Sequence, residues 1–189
     1  TEIYTLSLHD ALPISQPVWV AVANKYDKRS ALLFCLYINL GVSALFAVYV
    51  LANDWIGDHY LMALPLAVLI GFSMGGSIAL PYSMISDTID KDAYESGTRK
   101  EGMFYGCATF MYKLSQSLAV FFVGTLLDVI GFNSEIVQTP SVYLKVGMIL
   151  PVGFLLCFAL ALLFARKYKL NREMVTKYQQ GYRSTHTGA

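Results

Sequence analysis

The stretch that decides the fold runs from Asp87 to Gln116 and reads DTIDKDAYESGTRKEGMFYGCATFMYKLSQ. It begins with a dense run of charged residues, which we interpret as a loop. An apolar segment follows, in which Lys113 is the one charged residue between Gly102 and Leu127. A charged side chain inside a bilayer is costly, so an intramembrane lysine marks a candidate functional site. The first question is therefore whether this segment crosses a membrane.

The composition and the apolar runs indicate a membrane protein. Of the 189 residues, 56% are hydrophobic and 14% are charged, whereas a soluble domain carries about 25% charged residues. Four long apolar runs are present, and about 20 apolar residues are enough to cross the hydrocarbon core of a bilayer. We therefore predict an all-α integral membrane protein with four transmembrane helices, at about 31–52, 60–84, 103–130 and 144–165.

The basic residues lie on one side of this predicted topology. Twelve of the 14 lysines and arginines precede the first span, separate the second from the third, or follow the fourth. By the positive-inside rule, these segments face the cytoplasm. We predict a multi-pass protein of the cell (inner) membrane with a cytoplasmic tail over residues 166–189, part helix and part disordered.

The beginning of the chain has a different character. Residues 1–15 resemble the translation of a sequencing-library adapter, and we expect them to be non-native. Residues 16–30 are interpreted as the end of a further helix followed by a short basic turn on the cytoplasmic side. We therefore expect the chain to be the distal part of a larger protein.

The third predicted helix carries a polar face around Lys113. Polar side chains recur there every four residues and so share one side of a helix. They are Tyr105, Thr109, Lys113 and Ser117, with Tyr112 and Gln116 beside them. Lys113 lies roughly 15 Å into the helix, which is the bilayer midplane. A lysine can snorkel to the interface, but midplane depth favours a polar partner or a water-filled cavity. Secondary transporters bind substrates and ions at this depth, so we predict a substrate and cation face here.

Other classes of protein are disfavoured by the same sequence. The three cysteines, Cys35, Cys107 and Cys157, lie inside or at the edges of apolar runs, and their spacing fits neither a metal site nor a disulfide framework. No nucleophile–base pair or metal-ligand cluster indicates an enzyme. We predict no enzymatic activity, no resident cofactor or metal, and no nucleic-acid partner.

The order of residues in the charged stretch resembles one family. The sequence PYSMISDTIDKDAYESGTRKEGMFYG (residues 81–106), the lysine-bearing helix after it and LLDVIGF (residues 126–132) are similar to the glycoside–pentoside–hexuronide:cation symporters of the major facilitator superfamily. The matching positions are Asp87, Asp90, Gly97, Arg99, Glu101, Gly102, Tyr105 and Lys113. Lys91 and Asp92 depart from the family pattern.

The resemblance implies a transporter of twelve helices in two halves, of which this chain holds the end of helix 8 through helix 12. It implies that Lys113 lies beside a sugar and cation site, with Na⁺, Li⁺ or H⁺ as the coupling ion. The carboxylates that bind the cation are then expected in the other half. It also implies a cytoplasmic gate network that includes Asp87, Asp90, Arg99 and Glu101.

Two alternatives remain open. The same loop pattern occurs in lipid-handling relatives that move lysolipids, and a membrane module without transport activity would have a similar composition. The expected partners are a sugar, a coupling cation, membrane lipid and an N-terminal half of the same protein.

Overall fold

The computed structural model describes residues 15–52, 63–133 and 139–186, and the backbone in these ranges is almost entirely helical. A helical segment over residues 15–26, the leading helix, is followed by five helices. They are α1 (Lys28–Leu51), α2 (Ala63–Ser96), α3 (Glu101–Ile130), α4 (Pro140–Lys167) and α5 (Arg172–His186). Helices α1 to α4 are each long and apolar enough to cross a membrane. The predicted all-α membrane fold with four spanning helices is confirmed, while residues 1–14 of the adapter-like segment lie outside the described ranges.

The charged stretch after residue 84 is mostly helix, which corrects the predicted loop. We predicted that the second span ends at 84, but α2 continues to Ser96. The sequence contains no glycine or proline between residues 82 and 96, so nothing there interrupts a helix. Gly97 then ends the helix in the left-handed conformation, with φ of 70°. Asp87 and Asp90 therefore lie on a helix, and the loop before α3 is only four residues long.

The leading helix packs against α2 through Trp19. The indole is 2% exposed, and its Nε1 donates a hydrogen bond to the Phe72 carbonyl at 3.0 Å. The ring lies on Gly76, where an added Cβ atom would come within 2.6 Å of it. A small residue at this position is what allows the two helices to approach so closely.

The turn before the first span is shorter than predicted. The leading helix ends at residue 26 and α1 begins at Lys28, so Asp27 alone separates them. Asp27 has a φ of 93°, a backbone conformation that residues with a side chain rarely adopt. The direction of the chain thus changes at a single strained residue.

A buried amide joins α1 to α2. The Asn39 Nδ2 donates hydrogen bonds to the Ser73 carbonyl at 3.3 Å and to the Ser77 hydroxyl at 3.0 Å. The Cys35 thiol donates to the same Ser73 carbonyl at 3.3 Å. Polar contacts between membrane helices contribute about 0.6–2 kcal/mol each. These hydrogen bonds also fix the rotation of α1 relative to α2. Helix α1 packs against α4 as well.

Helix α3 is packed differently from the rest. None of its residues is buried, and it makes only weak contacts with α2 and α4. The helix ends at Gly131, whose φ of 78° gives it a left-handed cap. Its polar face is consequently exposed along the whole helix.

Helix α5 lies against the end of α2. Val175 is buried in this contact, and the Tyr94 and Tyr178 rings are 5.4 Å apart between centroids. Gly181 sits so close to Tyr94 that an added Cβ atom would overlap the ring. The tail that we predicted to be partly helical is thus helical from Arg172 to His186 and docked on the transmembrane helices.

Candidate functional site

The structure places the six predicted face residues on the exposed side of α3. They are Tyr105, Thr109, Tyr112, Lys113, Gln116 and Ser117, and each is exposed. Their common position follows from a regular helix, because residues four apart lie one turn above each other. The four-residue spacing in the sequence therefore produces a continuous polar stripe along one side of α3.

Lys113 is held by uncharged groups of its own helix. Its Nζ donates a hydrogen bond to Gln116 Oε1 at 3.4 Å and lies 5.7 Å from the centroid of the Tyr112 ring. Gln116 in turn donates from Nε2 to the Tyr112 hydroxyl at 3.4 Å. Three side chains thus form one linked group, in which an aromatic face and an amide oxygen stabilise the ammonium.

The charge of Lys113 is not neutralised within the described residues. The ion pairs found there join other lysines and arginines to carboxylates, and none includes Lys113. Ser117 directs its hydroxyl to the Lys113 backbone carbonyl at 3.1 Å, so this hydroxyl is partly occupied by its own helix. The stripe therefore offers an unneutralised ammonium, an amide and hydroxyls to whatever faces it.

A second group of polar residues surrounds the end of α2, and Asp87 is its first buried member. Its side chain accepts a hydrogen bond from Lys28 Nζ at 2.6 Å, and the residue is 7% exposed. Lys28 also donates to the Ser83 carbonyl at 3.3 Å. A buried carboxylate is tolerated when it is paired and hydrogen-bonded, and Lys28 provides both interactions for Asp87. The same pair links α1 to α2.

Asp90 is the second buried carboxylate, with 6% of its surface exposed. One oxygen lies 3.1 Å from an Arg99 nitrogen, and the other accepts a hydrogen bond from Gln179 at 2.6 Å. Arg99 also pairs with Glu101 at the beginning of α3. This one carboxylate consequently connects α2, the loop after it, and α5.

These charges change the protonation behaviour of two nearby groups. The hydrogen bond with Glu101, aided by the charge of Asp90, raises the pKa of Arg99 above its ordinary value. Burial, with the Asp87 carboxylate as a further cause, raises the pKa of Tyr168 to about 12. Tyr168 therefore stays neutral beside Asp87, and Arg99 keeps its charge beside Asp90.

The two groups lie at different depths of the molecule. Lys113 follows Glu101 by twelve residues on α3, which corresponds to about 18 Å along the helix axis. The residues around Lys113 belong to the middle of a span, whereas the ion pairs lie where the spanning helices end. We call the first group the α3 polar face and the second the charged network.

The structure regroups the predicted network and adds members to it. Arg99 does contact Asp90 and Glu101, but Asp87 is paired with Lys28 instead. Lys28 could have been found from the sequence, because the predicted topology places it on the same side of the membrane as Asp87. Nothing in the sequence distinguishes Gln179 from the other polar residues of the tail. Across the described ranges, no cluster of histidine, cysteine or acidic residues could hold a metal ion.

Comparison with known proteins gives a family and several relatives. The profile of a family described as "MFS/sugar transport protein" matches residues 3–172. An uncharacterised symporter of Synechocystis is 30% identical over 125 residues, or 65% of this chain and 22% of the relative. A proposed sulfoquinovose importer of Salmonella typhimurium is 30% identical over 140 residues, or 72% of the chain and 29% of the relative. A sodium-dependent lysophosphatidylcholine symporter of Danio rerio is 23% identical over 163 residues, or 85% of the chain and 29% of the relative.

These matches test several of the predictions made above. The chain spans 22–29% of the length of these three relatives. All of them are transporters, which confirms the predicted superfamily and the prediction that the chain is not an enzyme. Two of the three are named for a substrate, sulfoquinovose in one and lysophosphatidylcholine in the other, so the matches do not decide between classes of substrate.

Proposed function

The chain belongs to the family of MFS/sugar transport proteins, and on that premise we propose that it forms part of a sugar:cation symporter of the cell membrane. The observation that carries the proposal is the environment of Lys113. Its ammonium lies in mid-span on an exposed polar face and is bonded to an amide oxygen at 3.4 Å rather than to a carboxylate. A charge in that position needs a polar or oppositely charged partner, which a substrate and ion site would supply.

The α3 polar face suits a sugar because of the hydrogen-bonding groups that it presents. A sugar carries many hydroxyls, each of which both donates and accepts. Tyr105, Thr109 and Tyr112 offer hydroxyls, and Gln116 offers both amide functions. Together with Ser117 and Lys113, they would bind one side of the sugar, while the facing surface of the transporter binds the other.

We propose that Lys113 couples the cation to the sugar through charge. Without a bound cation, carboxylates on the facing surface would pair with the Lys113 ammonium and keep it from the sugar. A cation bound by those carboxylates would weaken this pairing, and the ammonium could then donate to a sugar hydroxyl. The coupling ion would be Na⁺, Li⁺ or H⁺, carried as a substrate rather than held as a cofactor.

The charged network has the properties of a gate at the basic end of the helices. Asp87 and Asp90 are buried, and Lys28, Arg99 and Gln179 bind their carboxylates. In alternating access the helix ends separate on one side of the membrane at a time. When that end closes, Asp87 pairs with Lys28, and Arg99 pairs with Asp90 and Glu101. When it opens, these groups become exposed to water. By the positive-inside rule, the excess of basic residues at this end supports a cytoplasmic location for the gate.

A lysolipid is the second candidate substrate, and one observation favours it. The lysophosphatidylcholine symporter of Danio rerio matches 85% of this chain, a larger share than the 65% and 72% matched by the two bacterial relatives. Its identity is lower, at 23%. The charged network would serve either substrate, because it closes the helix ends and not the binding face.

Counterflow in proteoliposomes separates these candidates. Vesicles containing the intact transporter are loaded with one unlabelled compound, and exchange for the labelled compound is measured with glycosides, pentosides, hexuronides and lysophosphatidylcholine. Each is tested with Na⁺, with Li⁺ and at different pH values. We expect exchange with a sugar that one of these cations stimulates. Exchange with lysophosphatidylcholine alone would replace the sugar proposal, and no exchange with any compound would favour a module without transport activity.

A further inference from the structure

We propose that the groove between the leading helix and α1 binds one anionic phospholipid, with an acyl chain in the groove and the headgroup on Lys25. The groove has a volume of about 490 Å³, within the range of about 300–1,000 Å³ that is usual for ligand sites. Its lining residues are Val22, Tyr26, Ser30, Ala31 and Phe34. Four of the five carry carbon-rich side chains, so the groove matches a hydrocarbon chain better than a polar solute.

The walls of the groove are open to an occupant. Tyr26 is 63% exposed and Phe34 is 57% exposed, and the Phe34 ring is backed by Trp19 at 6.3 Å between centroids. Ser30, Ala31 and Phe34 belong to the first two turns of α1, a helix long enough to cross the membrane. An acyl chain lying along them would enter the hydrocarbon region at its normal depth, with its headgroup next to the break at Asp27.

The charge at the mouth of the groove fits an anionic headgroup. Lys25 is exposed, its Nζ lies 5.3 Å from the Tyr26 ring centroid, and it makes no ion pair within the described ranges. The nearby cations are occupied elsewhere: Lys28 binds Asp87, and Arg29 donates to the Arg166 carbonyl at 2.8 Å. Lys25 is therefore available to a phosphate group.

The nearest acidic residue does not oppose this arrangement. Asp27 lines a separate cavity of about 290 Å³, together with Lys28, Asp87 and Arg172, and is not among the residues that line the groove. Asp27 thus belongs to a cavity other than the groove. Basic residues at helix ends attract anionic lipids at the membrane surface, and pockets between helices bind their headgroups.

The test measures lipid retention and so does not depend on transport. The intact transporter is purified in detergent and titrated with phosphatidylglycerol or with phosphatidylcholine of the same acyl chains, and bound lipid is counted by native mass spectrometry. We expect at least one phosphatidylglycerol to be retained more tightly than phosphatidylcholine. Lys25→Gln should weaken phosphatidylglycerol binding about fivefold, as expected for the loss of one surface cation. Lys145→Gln, at another exposed lysine near the other end of the helices, should leave phosphatidylglycerol binding unchanged.

A second variant tests the acyl chain and guards against a folding artefact. Ser30→Trp places a large ring in the groove at an exposed position and should reduce retention of both lipids, while Lys25→Arg should keep the preference for phosphatidylglycerol. Equal retention of the two lipids by the unmodified protein would overturn the proposal without any variant. So would unchanged phosphatidylglycerol binding in both Lys25→Gln and Ser30→Trp.

Discussion

Asp90 joins three segments of the chain through one carboxylate. Arg99 and Gln179 bind its two oxygens at 3.1 and 2.6 Å, and it is almost fully buried. Asp92, two residues further on, pairs with Lys100 at 3.6 Å and is far more exposed. We predict that Asp90→Ala lowers the free energy of unfolding by about 1.5–3 kcal/mol and Asp92→Ala by about 0–1 kcal/mol. Thermal melting of the two variants checks this order, and equal losses would contradict it.

The backbone of Asp27 is strained, and a substitution can measure the strain. Its φ of 93° is unfavourable for any residue with a Cβ atom, and its side chain makes no capping hydrogen bond to α1. Asp27→Gly and Asp27→Ala both remove the carboxylate, but only glycine relieves the backbone. We predict that the glycine variant is about 1 kcal/mol more stable than the alanine variant. Melting temperatures measured side by side decide this, and a less stable glycine variant would show that the strain is absent.

The contacts of a single residue could be predicted from the sequence where its neighbours lie on the same helix. The grouping of Lys113 with Gln116 and Tyr112 follows from helical spacing alone. The pair of Lys28 with Asp87 spans 59 residues of sequence, and its partners meet only because α1 and α2 pack together. Long-range pairs of this kind depend on packing, which the sequence pattern does not specify.

At the scale of helices, the spans were predictable because a bilayer sets their length and apolar character. The end of α2 was not, because we treated charge density as evidence for a loop. Lysine and glutamate are good helix formers, and one i,i+4 pair, Lys91 with Glu95 at 3.8 Å, lies in this segment. The better signal was Gly97, the first glycine after the span. The apolar pattern reports where the membrane ends and not where the helix ends.

Two glycines test how the helices are held together. At Gly76 a Cβ atom would meet the Trp19 ring at 2.6 Å and the Cys35 sulfur at 2.7 Å, whereas at Gly41 nothing lies within 4 Å. Gly76→Ala should force the leading helix away from α2 and lower stability by about 1–3 kcal/mol, as overpacking does. Gly41→Ala should raise stability by up to about 1 kcal/mol through helix propensity. Melting of the two variants is the measurement, and a neutral Gly76→Ala would refute the close contact.

At the scale of the whole molecule, most of the helices pack together, whereas α3 remains largely exposed. Trp19, Asn39 and the charged network join the leading helix, α1, α2 and α5, and α4 packs against α1. Helix α3 joins the charged network through Glu101, makes weak contacts with α2 and α4, and exposes its polar face. In the proposed transporter, this face lines the path of the substrate and the charged network controls access to it from one end. Glu101 of the charged network lies on the same continuous helix as the α3 polar face, so movement of the gate would be transmitted to the face.

The account depends most directly on the role of Lys113, and one comparison tests it. The intact transporter, Lys113→Ala and Lys145→Ala are expressed at matched levels, and cation-driven accumulation of the sugar found by counterflow is measured in energised membrane vesicles. We predict that Lys113→Ala accumulates no sugar above the background of vesicles without transporter, because the charge that links cation to sugar is gone. Lys145→Ala, which removes an exposed lysine outside the α3 polar face, should accumulate sugar normally. Full cation-coupled accumulation by Lys113→Ala would contradict the account.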